Sequence, residues 1–187
     1  MAPQLFLVLL GCKPADRNTE QHDVFFGIGN SLSDLLPQIN NFWPEAKEKL
    51  HIDSWRTVST VNGYQVKIIP RKEALADPQK KLFFLNLGGY KPGDFEEYHY
   101  KLLSVAETKA QAIQEAKQTA FYLHVGFAGA NSHIDDKYGV DVDDVYEIED
   151  ILSPGLKEQF ATVIGKDSGE TKDDELHVGY LKLSTLA

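Results

Sequence analysis

The feature that most constrains the fold is an internal duplication, because a repeated segment implies a repeated structural unit. Four short patterns occur twice in the same order. They are residues 11–16 with 88–94, Glu20-x-His22 with Glu97-x-His99, Ser31 with Thr108, and His51-Ile52-Asp53 with His133-Ile134-Asp135. The second and third pairs are each 77 residues apart (97 − 20 and 108 − 31), and the last pair is 82 apart (133 − 51). We infer two copies of one unit, the second being slightly longer.

Each copy is predicted to fold as β-β-α-β-β. An apolar run that ends in glycine, residues 5–10 in the first copy, is typical of a buried strand, and a second strand rich in Val, Phe, Tyr and Leu follows. Ser31 and Thr108 each begin a helix with one apolar face, although Pro37 requires a kink or a new helix start. Asn62-Gly63 predicts a hairpin. The predicted class is α+β, with mainly antiparallel sheets and the units related by a pseudo-two-fold axis.

The domain boundaries follow from the repeat. Residues 1–69 form the first unit and 82–152 the second, with the polar, proline-containing segment 70–81 as the linker. Residues 153–187 have no counterpart and predict a short helix near Leu156 followed by two strands. A copy of this size buries little apolar surface alone, so we expect each copy to contribute to the other's core.

Charge and composition exclude several classes of protein. The chain has 19 Lys+Arg against 28 Asp+Glu, a net charge of −9, which disfavours nucleic-acid binding and docking on anionic membranes. The apolar run at residues 5–10 is too short for a membrane helix and has no preceding Lys or Arg, so it does not resemble a secretory signal. We therefore expect a cytoplasmic protein that does not bind membranes.

Histidines and carboxylates recur at matching places in the two copies. The candidate binding residues are Glu20, His22, His51, Asp53, Glu97, His99, His133 and Asp135. Together such residues can bind a divalent metal or act as an acid–base pair. They can equally flank strand ends and hydrogen-bond to the backbone or to each other, and their spacing matches no established metal motif. No cofactor is predicted, and the sequence leaves open whether a divalent metal binds to these residues.

A weaker candidate is an anion-binding loop after the first strand of each copy. Its residues are Gly11, Lys13, Gly88 and Lys91. Glycine can free backbone N–H groups for an anion, but a Pro-Gly turn accounts for the same residues. Cys12 is replaced by Gly89 in the second copy, so a mechanism common to both copies cannot use its thiol.

The second copy ends in an acidic stretch. Residues 135–150 hold eight carboxylates and one lysine, with no match to an EF-hand. A solvated acidic face, a basic protein partner and weak cation binding all fit it. The aromatic residues Trp43, Trp55, Tyr98 and Tyr100 could anchor a partner, or pack in the core.

The Glu-x-His, helix and His-Ile-Asp arrangement, used twice after the opening Leu-Phe-Leu-Val-Leu-Leu-Gly, resembles the bacterial domain of unknown function 1543 (DUF1543) family in two tandem copies. The resemblance covers most of residues 5–152 and implies no activity. We predict a non-enzymatic binding or interaction module for a small ligand or a protein partner. The alternative is a metal-assisted hydrolase that uses the repeated Glu-x-His and His-Ile-Asp segments.

Overall fold

A computed structural model describes residues 2–74, 78–90, 93–125, 141–167, 169 and 174–186, with the backbone alone at 47–48, 90, 119–125 and 141. The chain divides into two compact units. The first comprises Met1–Leu75 and Leu152–Ala187, and the second comprises Ala76–Ile151. The C-terminal segment is therefore part of the first unit.

The first unit is built on a four-stranded antiparallel sheet. Its strands are β1 (Gln4–Cys12), β2 (Gln21–Gly29), β3 (His51–Thr57) and β10 (His177–Lys182), in the order β10-β3-β1-β2. Alternate residues of β1 face a helical layer, and Val8, Leu10 and Cys12 are fully buried there. The intervening residues, Gly11 among them, face the other side of the sheet. This second face carries the candidate site.

The chain between β2 and β3 forms short helices. A 3₁₀ turn at Ser33–Leu35 leads into α1 (Leu36–Phe42), which has Pro37 in its first turn, and a second 3₁₀ segment covers Pro44–Lys49. The expectation that a new helix begins at Pro37 is confirmed, because proline lacks an N–H and is tolerated only in the first turn. Leu35 and Ile39 are fully buried against the sheet.

A second, three-stranded sheet completes the first unit. It contains β4 (Thr60–Val61), β5 (Tyr64–Pro70) and β9 (Phe160–Lys166), in that order. Asn62 and Gly63 have φ of 50° and 75° and form the predicted hairpin between β4 and β5. The helix α4 (Pro154–Gln159) precedes β9, so the short helix expected near Leu156 is present.

The second unit has three antiparallel strands and one long helix. The strands β6 (Lys81–Tyr90), β7 (Glu97–Ala106) and β8 (Asp141–Glu147) have the order β7-β6-β8, and α2 (Lys109–Val125) packs on them through Ala112 and Ala116. Thr108 Oγ1 accepts a hydrogen bond from the Gln111 N–H at 3.2 Å, as expected of a capping residue. A short helix, α3 (Ile148–Ile151), follows β8.

Strand register shows which residues of the two units correspond. Gly11 pairs with His22 and with His51, and Gly88 pairs with His99 and with Asp141. In each unit the third strand has an irregularity after this pair, which leaves Asp53 or Asp143 without a direct partner on the central strand. By register, Asp141-Val142-Asp143 of β8 takes the position of His51-Ile52-Asp53. The predicted counterpart, His133-Ile134-Asp135, lies outside the described residues.

Candidate functional site

Glu20, His22, His51 and Asp53, called here the first cluster, converge over the end of β1. His22 and His51 lie on the strands flanking Gly11, and cross-strand neighbours project from the same face of a sheet. Glu20 immediately precedes β2. Asp53 comes two residues after His51 on β3, so the alternation of a strand puts both side chains on one face, and both lie close to the Cβ position of Gly11.

Each histidine of the first cluster faces both carboxylates. His51 Nε2 lies 3.0 Å from Glu20 Oε1 and 3.3 Å from Asp53 Oδ1. His22 Nε2 lies 3.2 Å from Asp53 Oδ2 and 3.8 Å from Glu20 Oε2. The two segments that the sequence could not place together, Glu-x-His and His-Ile-Asp, therefore meet in the first unit.

The orientation of the His51 ring is set by its surroundings. Its side chain is 7% exposed, and its Nδ1 lies 3.3 Å from the carbonyl oxygen of Lys49. A carbonyl only accepts hydrogen bonds, so this contact places the proton of a neutral ring on Nδ1. The Tyr180 ring covers one side, with ring centroids 4.4 Å apart. A neutral His51 consequently presents the lone pair of Nε2 to the carboxylates.

Gly11 lies beneath the first cluster, and a side chain at this position would collide with the cluster. A Cβ at position 11 would lie 2.4 Å from His51 Nε2 and 2.5 Å from Asp53 Oδ2. Asp53 Oδ2 is closed to solvent and receives no hydrogen bond from the described residues, although His22 Nε2 lies 3.2 Å away. A buried carboxylate oxygen without a donor is costly, and a cation would satisfy it.

The donor set and its spacing fit a divalent metal. With bonds of about 2.1 Å, neighbouring ligand atoms lie about 3.0 Å apart around an octahedral ion and about 3.4 Å apart around a tetrahedral one. Three of the four contacts in the first cluster, at 3.0, 3.2 and 3.3 Å, fall in this range. Two imidazoles and two carboxylates suit Zn²⁺, Mn²⁺, Fe²⁺ or Ni²⁺, and the two negative charges match the charge of such an ion.

A related group, called here the second cluster, lies at the equivalent place in the second unit. It contains Glu97, His99 and Asp143, with one potential ligand atom from each residue within 4.8 Å of the others. His99 Nε2 is 3.3 Å from Asp143 Oδ2. A Cβ at Gly88 would lie 2.5 Å from Asp143 Oδ2. The glycine and the aspartate thus recur together.

Sequence reasoning missed Asp143. It assigned the acidic stretch to a solvated face and placed the second carboxylate at Asp135, which lies outside the described residues together with His133. The signal that could have found Asp143 is the pattern shared by residues 51–57 and 141–147, in which aspartate follows a β-branched residue, Ile52 or Val142. Only strand pairing distinguishes that match from the His-Ile-Asp one.

The glycines predicted to form an anion loop lie elsewhere. Gly11 and Gly88 are inside β1 and β6, where they pair with residues on both neighbouring strands. Both face carboxylates, which would repel an anion. Lys13 is exposed, and Lys91 lies outside the described residues. These glycines therefore accommodate acidic side chains instead of binding a negative group.

Cys12 and the aromatic residues have packing roles. Cys12 is fully buried and its Sγ lies 3.7 Å from the carbonyl oxygen of Ala46. Burial raises the pKa of this thiol, which keeps it protonated and unreactive. Trp43 and Trp55 pack against the core of the first unit, and Tyr100 against that of the second. The hydrogen bond that the Tyr98 hydroxyl donates to Asp94 raises the pKa of Tyr98.

Comparison with known proteins supports the fold. Residues 17–68 match the model of the family described as Domain of Unknown Function (DUF1543). The predicted resemblance is confirmed for one copy, which contains all four residues of the first cluster, and the second tandem copy is not shown by this match. No curated protein matches the chain.

A solved structure is similar over nearly the whole chain. It is the crystal structure of protein Il1583 from Idiomarina loihiensis, with 24% sequence identity, a TM-score of 0.65 and 97% of each chain covered. At this identity the likeness is one of fold, and it agrees with the predicted α+β class. Among the described helices, none has the length and apolar character needed to cross a membrane.

Proposed function

We propose that this protein is a divalent-metal-binding module whose principal site is the first cluster. The observation that carries the proposal is the placement of His51, whose Nδ1 meets a backbone carbonyl while its Nε2 faces both carboxylates. Metal-binding histidines are commonly held in this way, because a hydrogen bond at one ring nitrogen orients the other toward the ion.

The surroundings of the first cluster support a bound ion over a simple ion-pair network. Gly11 keeps the space between His51 and Asp53 open, and within the part of the chain that the structure describes no group donates a hydrogen bond to Asp53 Oδ2. The two carboxylates and the Nε2 atoms of the two histidines face one another, and a divalent cation between them would be bound by all four side chains. The sequence predicts a binding module for a small ligand or a protein partner, and we propose that the small ligand is a metal ion.

Metal titration tests the proposal. Full-length protein is stripped with a chelator and titrated with Zn²⁺, Ni²⁺ and Co²⁺ by isothermal calorimetry, and Co²⁺ absorption reports the coordination number. Loss of a ligating imidazole in His51→Ala should weaken binding by at least about 100-fold, beyond the 10- to 100-fold typical of outer-shell changes. His22→Ala should act in the same direction.

His177→Ala is the matched control. His177 belongs to the same unit and stacks on Trp55 with ring centroids 4.0 Å apart, so the change removes an imidazole outside the first cluster. Its metal affinity should equal that of the native protein. If His51→Ala and His177→Ala bind Zn²⁺ equally well, or if the native protein does not bind any of the three ions, the first cluster is not a metal site.

Metal-assisted hydrolysis is the second candidate function. The side chains of His22 and Glu20 are 43% and 42% exposed, so an ion at the first cluster would be reachable by substrate and water. Glu20, His22, His51 and Asp53 would hold the ion, which would supply Lewis-acid activation of water for attack on a substrate. Metal-loaded protein that does not cleave model esters or phosphoesters above the rate of His51→Ala would exclude this candidate.

We also propose a location and a class of partner. A cytoplasmic location is proposed for this acidic chain, whose net charge is −9. The acidic stretch of the second unit favours a basic partner over nucleic acid or anionic lipid. Fractionation of cells that express the tagged native chain tests the location.

A further inference from the structure

The second cluster differs from the first in its donor set. Glu97, His99 and Asp143 take the positions of Glu20, His22 and Asp53. At the register position of His51 the second unit has Asp141, which pairs with Gly88 as His51 pairs with Gly11. The first cluster thus offers two nitrogens and two carboxylates. The second unit carries one nitrogen and three carboxylate residues at the same four positions.

We propose that the second cluster is a separate divalent-cation site, more favourable to an oxygen-preferring ion of the Mn²⁺ class than the first cluster is. Oxygen donors suit Mn²⁺, whereas imidazole favours Zn²⁺ and Ni²⁺. The inference rests on the proposed function in taking these positions as ligand positions, but it concerns different residues in a different unit. The two copies would then hold chemically distinct ions.

Solvent exposure is compatible with the same preference. The side chains of His99 and Asp143 are 39% and 32% exposed, close to the 43% and 26% of their equivalents His22 and Asp53. An ion in the second cluster would keep several water molecules. Ions of the Mg²⁺ and Mn²⁺ type tolerate this well, because they bind through a few carboxylates and retain part of their hydration shell.

The central glycine supports a built site over a chance surface cluster. A Cβ at Gly88 would lie 2.5 and 2.9 Å from the two carboxylate oxygens of Asp143. Asp144, the next residue along β8, is 3.3 Å from the Asn86 amide nitrogen and accepts a hydrogen bond from it. The two neighbouring aspartates therefore have different surroundings, and only Asp143 lies in the second cluster.

The test measures each site in the full-length chain by disabling the other. The His22→Ala/His51→Ala variant isolates the second cluster, and the His99→Ala/Asp143→Asn variant isolates the first. Mn²⁺ binding is followed by the electron paramagnetic resonance of the free ion, and Zn²⁺ binding by competition with a chromophoric chelator. Because nitrogen and oxygen sites generally bind Zn²⁺ more tightly than Mn²⁺, preference is expressed as the ratio of the two dissociation constants.

The expected result is a Mn²⁺-to-Zn²⁺ ratio of dissociation constants at least about tenfold smaller at the second cluster than at the first. Asp141→His should move the second ratio toward the first, and His51→Asp should move the first toward the second. Asp144→Asn is the matched control and should leave Mn²⁺ binding unchanged. Circular dichroism confirms that each variant folds.

Three outcomes would overturn the inference. They are equal ratios at the two clusters, Mn²⁺ binding that survives Asp143→Asn, and no Mn²⁺ binding in the variant that retains only the second cluster. Because that variant lacks His22 and His51, its result does not depend on whether the first cluster binds metal. Failure of the proposed function appears separately, as absent Zn²⁺ binding in the variant that retains only the first cluster.

Discussion

Gly11→Ala is the most direct perturbation of the first cluster, because it changes no proposed ligand. The added Cβ would lie 2.4 Å from His51 Nε2 and 2.5 Å from Asp53 Oδ2, against about 3.4 Å for ordinary contact, so each must move by roughly 1 Å. His51 cannot swing away freely, since it is buried, held at Nδ1 and covered by Tyr180. The substitution must therefore separate atoms that would share an ion.

The expected effect is larger on metal affinity than on folding. Overpacking costs about 1–3 kcal/mol, and the lower chain entropy of alanine returns about 0.5–1 kcal/mol, so the free energy of unfolding without metal should fall by about 0–2.5 kcal/mol. A ligand displacement of this size should weaken Zn²⁺ binding about 100-fold, or about 2.7 kcal/mol.

Calorimetric titration and thermal unfolding of the metal-free protein measure the two effects separately. Gly165→Ala is the matched control, because Gly165 lies in strand β9 of the same unit and a Cβ there meets nothing within 4 Å. The control should keep native affinity. The reasoning is refuted if Gly11→Ala binds Zn²⁺ within about threefold of the native protein, a difference of about 0.7 kcal/mol, while Gly165→Ala does the same.

Three further predictions concern residues outside the clusters. The buried Cys12, whose pKa is raised by burial, should not react with a thiol reagent in the native protein and should react fully in guanidinium chloride. Asp174→Ala should lower the free energy of unfolding by about 1–3 kcal/mol, measured in urea, because its carboxylate accepts hydrogen bonds from Thr57, Ser59 and Thr60. A hydrogen bond from the Asn30 N–H lowers the pKa of Asp34 below 3.8 in the folded state. Stability gained from Asp34 is therefore present above pH 3.8 and lost as the pH falls below it. The free energies of unfolding of the native protein and of Asp34→Asn should consequently differ less as the pH is lowered. A difference that does not change between pH 6 and pH 2 would contradict this.

The local structure could largely be predicted because each signal is local. The apolar run at residues 5–10, the Asn62-Gly63 turn and the proline at position 37 specify strand, hairpin and helix start through nearby sterics and hydrophobic burial. The position of the C-terminal segment in the fold could not be predicted in this way, because it depends on non-local strand pairing. Its two strands join different sheets of the first unit, β9 against β5 and β10 against β3.

The residues of the candidate site could likewise be predicted from local signals, but not where their position depends on non-local pairing. Glu20 and His22 were identified with their repeat partners because they lie two residues apart on one strand end, and alternation alone puts them on one face. Asp143 could not be identified, because its place beside Gly88 depends on the pairing of β8 with β6, which is non-local. The local pattern of the acidic stretch does not show which of its carboxylates lie on the strand that pairs with β6.

The two units therefore share the backbone arrangement of the site more closely than they share its candidate ligands. In both units a glycine on the central strand faces an aspartate on the next strand, with a histidine on the opposite neighbour. The residue beside that glycine is His51 in one unit and Asp141 in the other. If both clusters bind ions as proposed, exchange of the residue paired with the glycine would change the preferred ion without rebuilding the sheet. The shared backbone would then set the geometry of each site, and this one residue on β3 or β8 would set its preference.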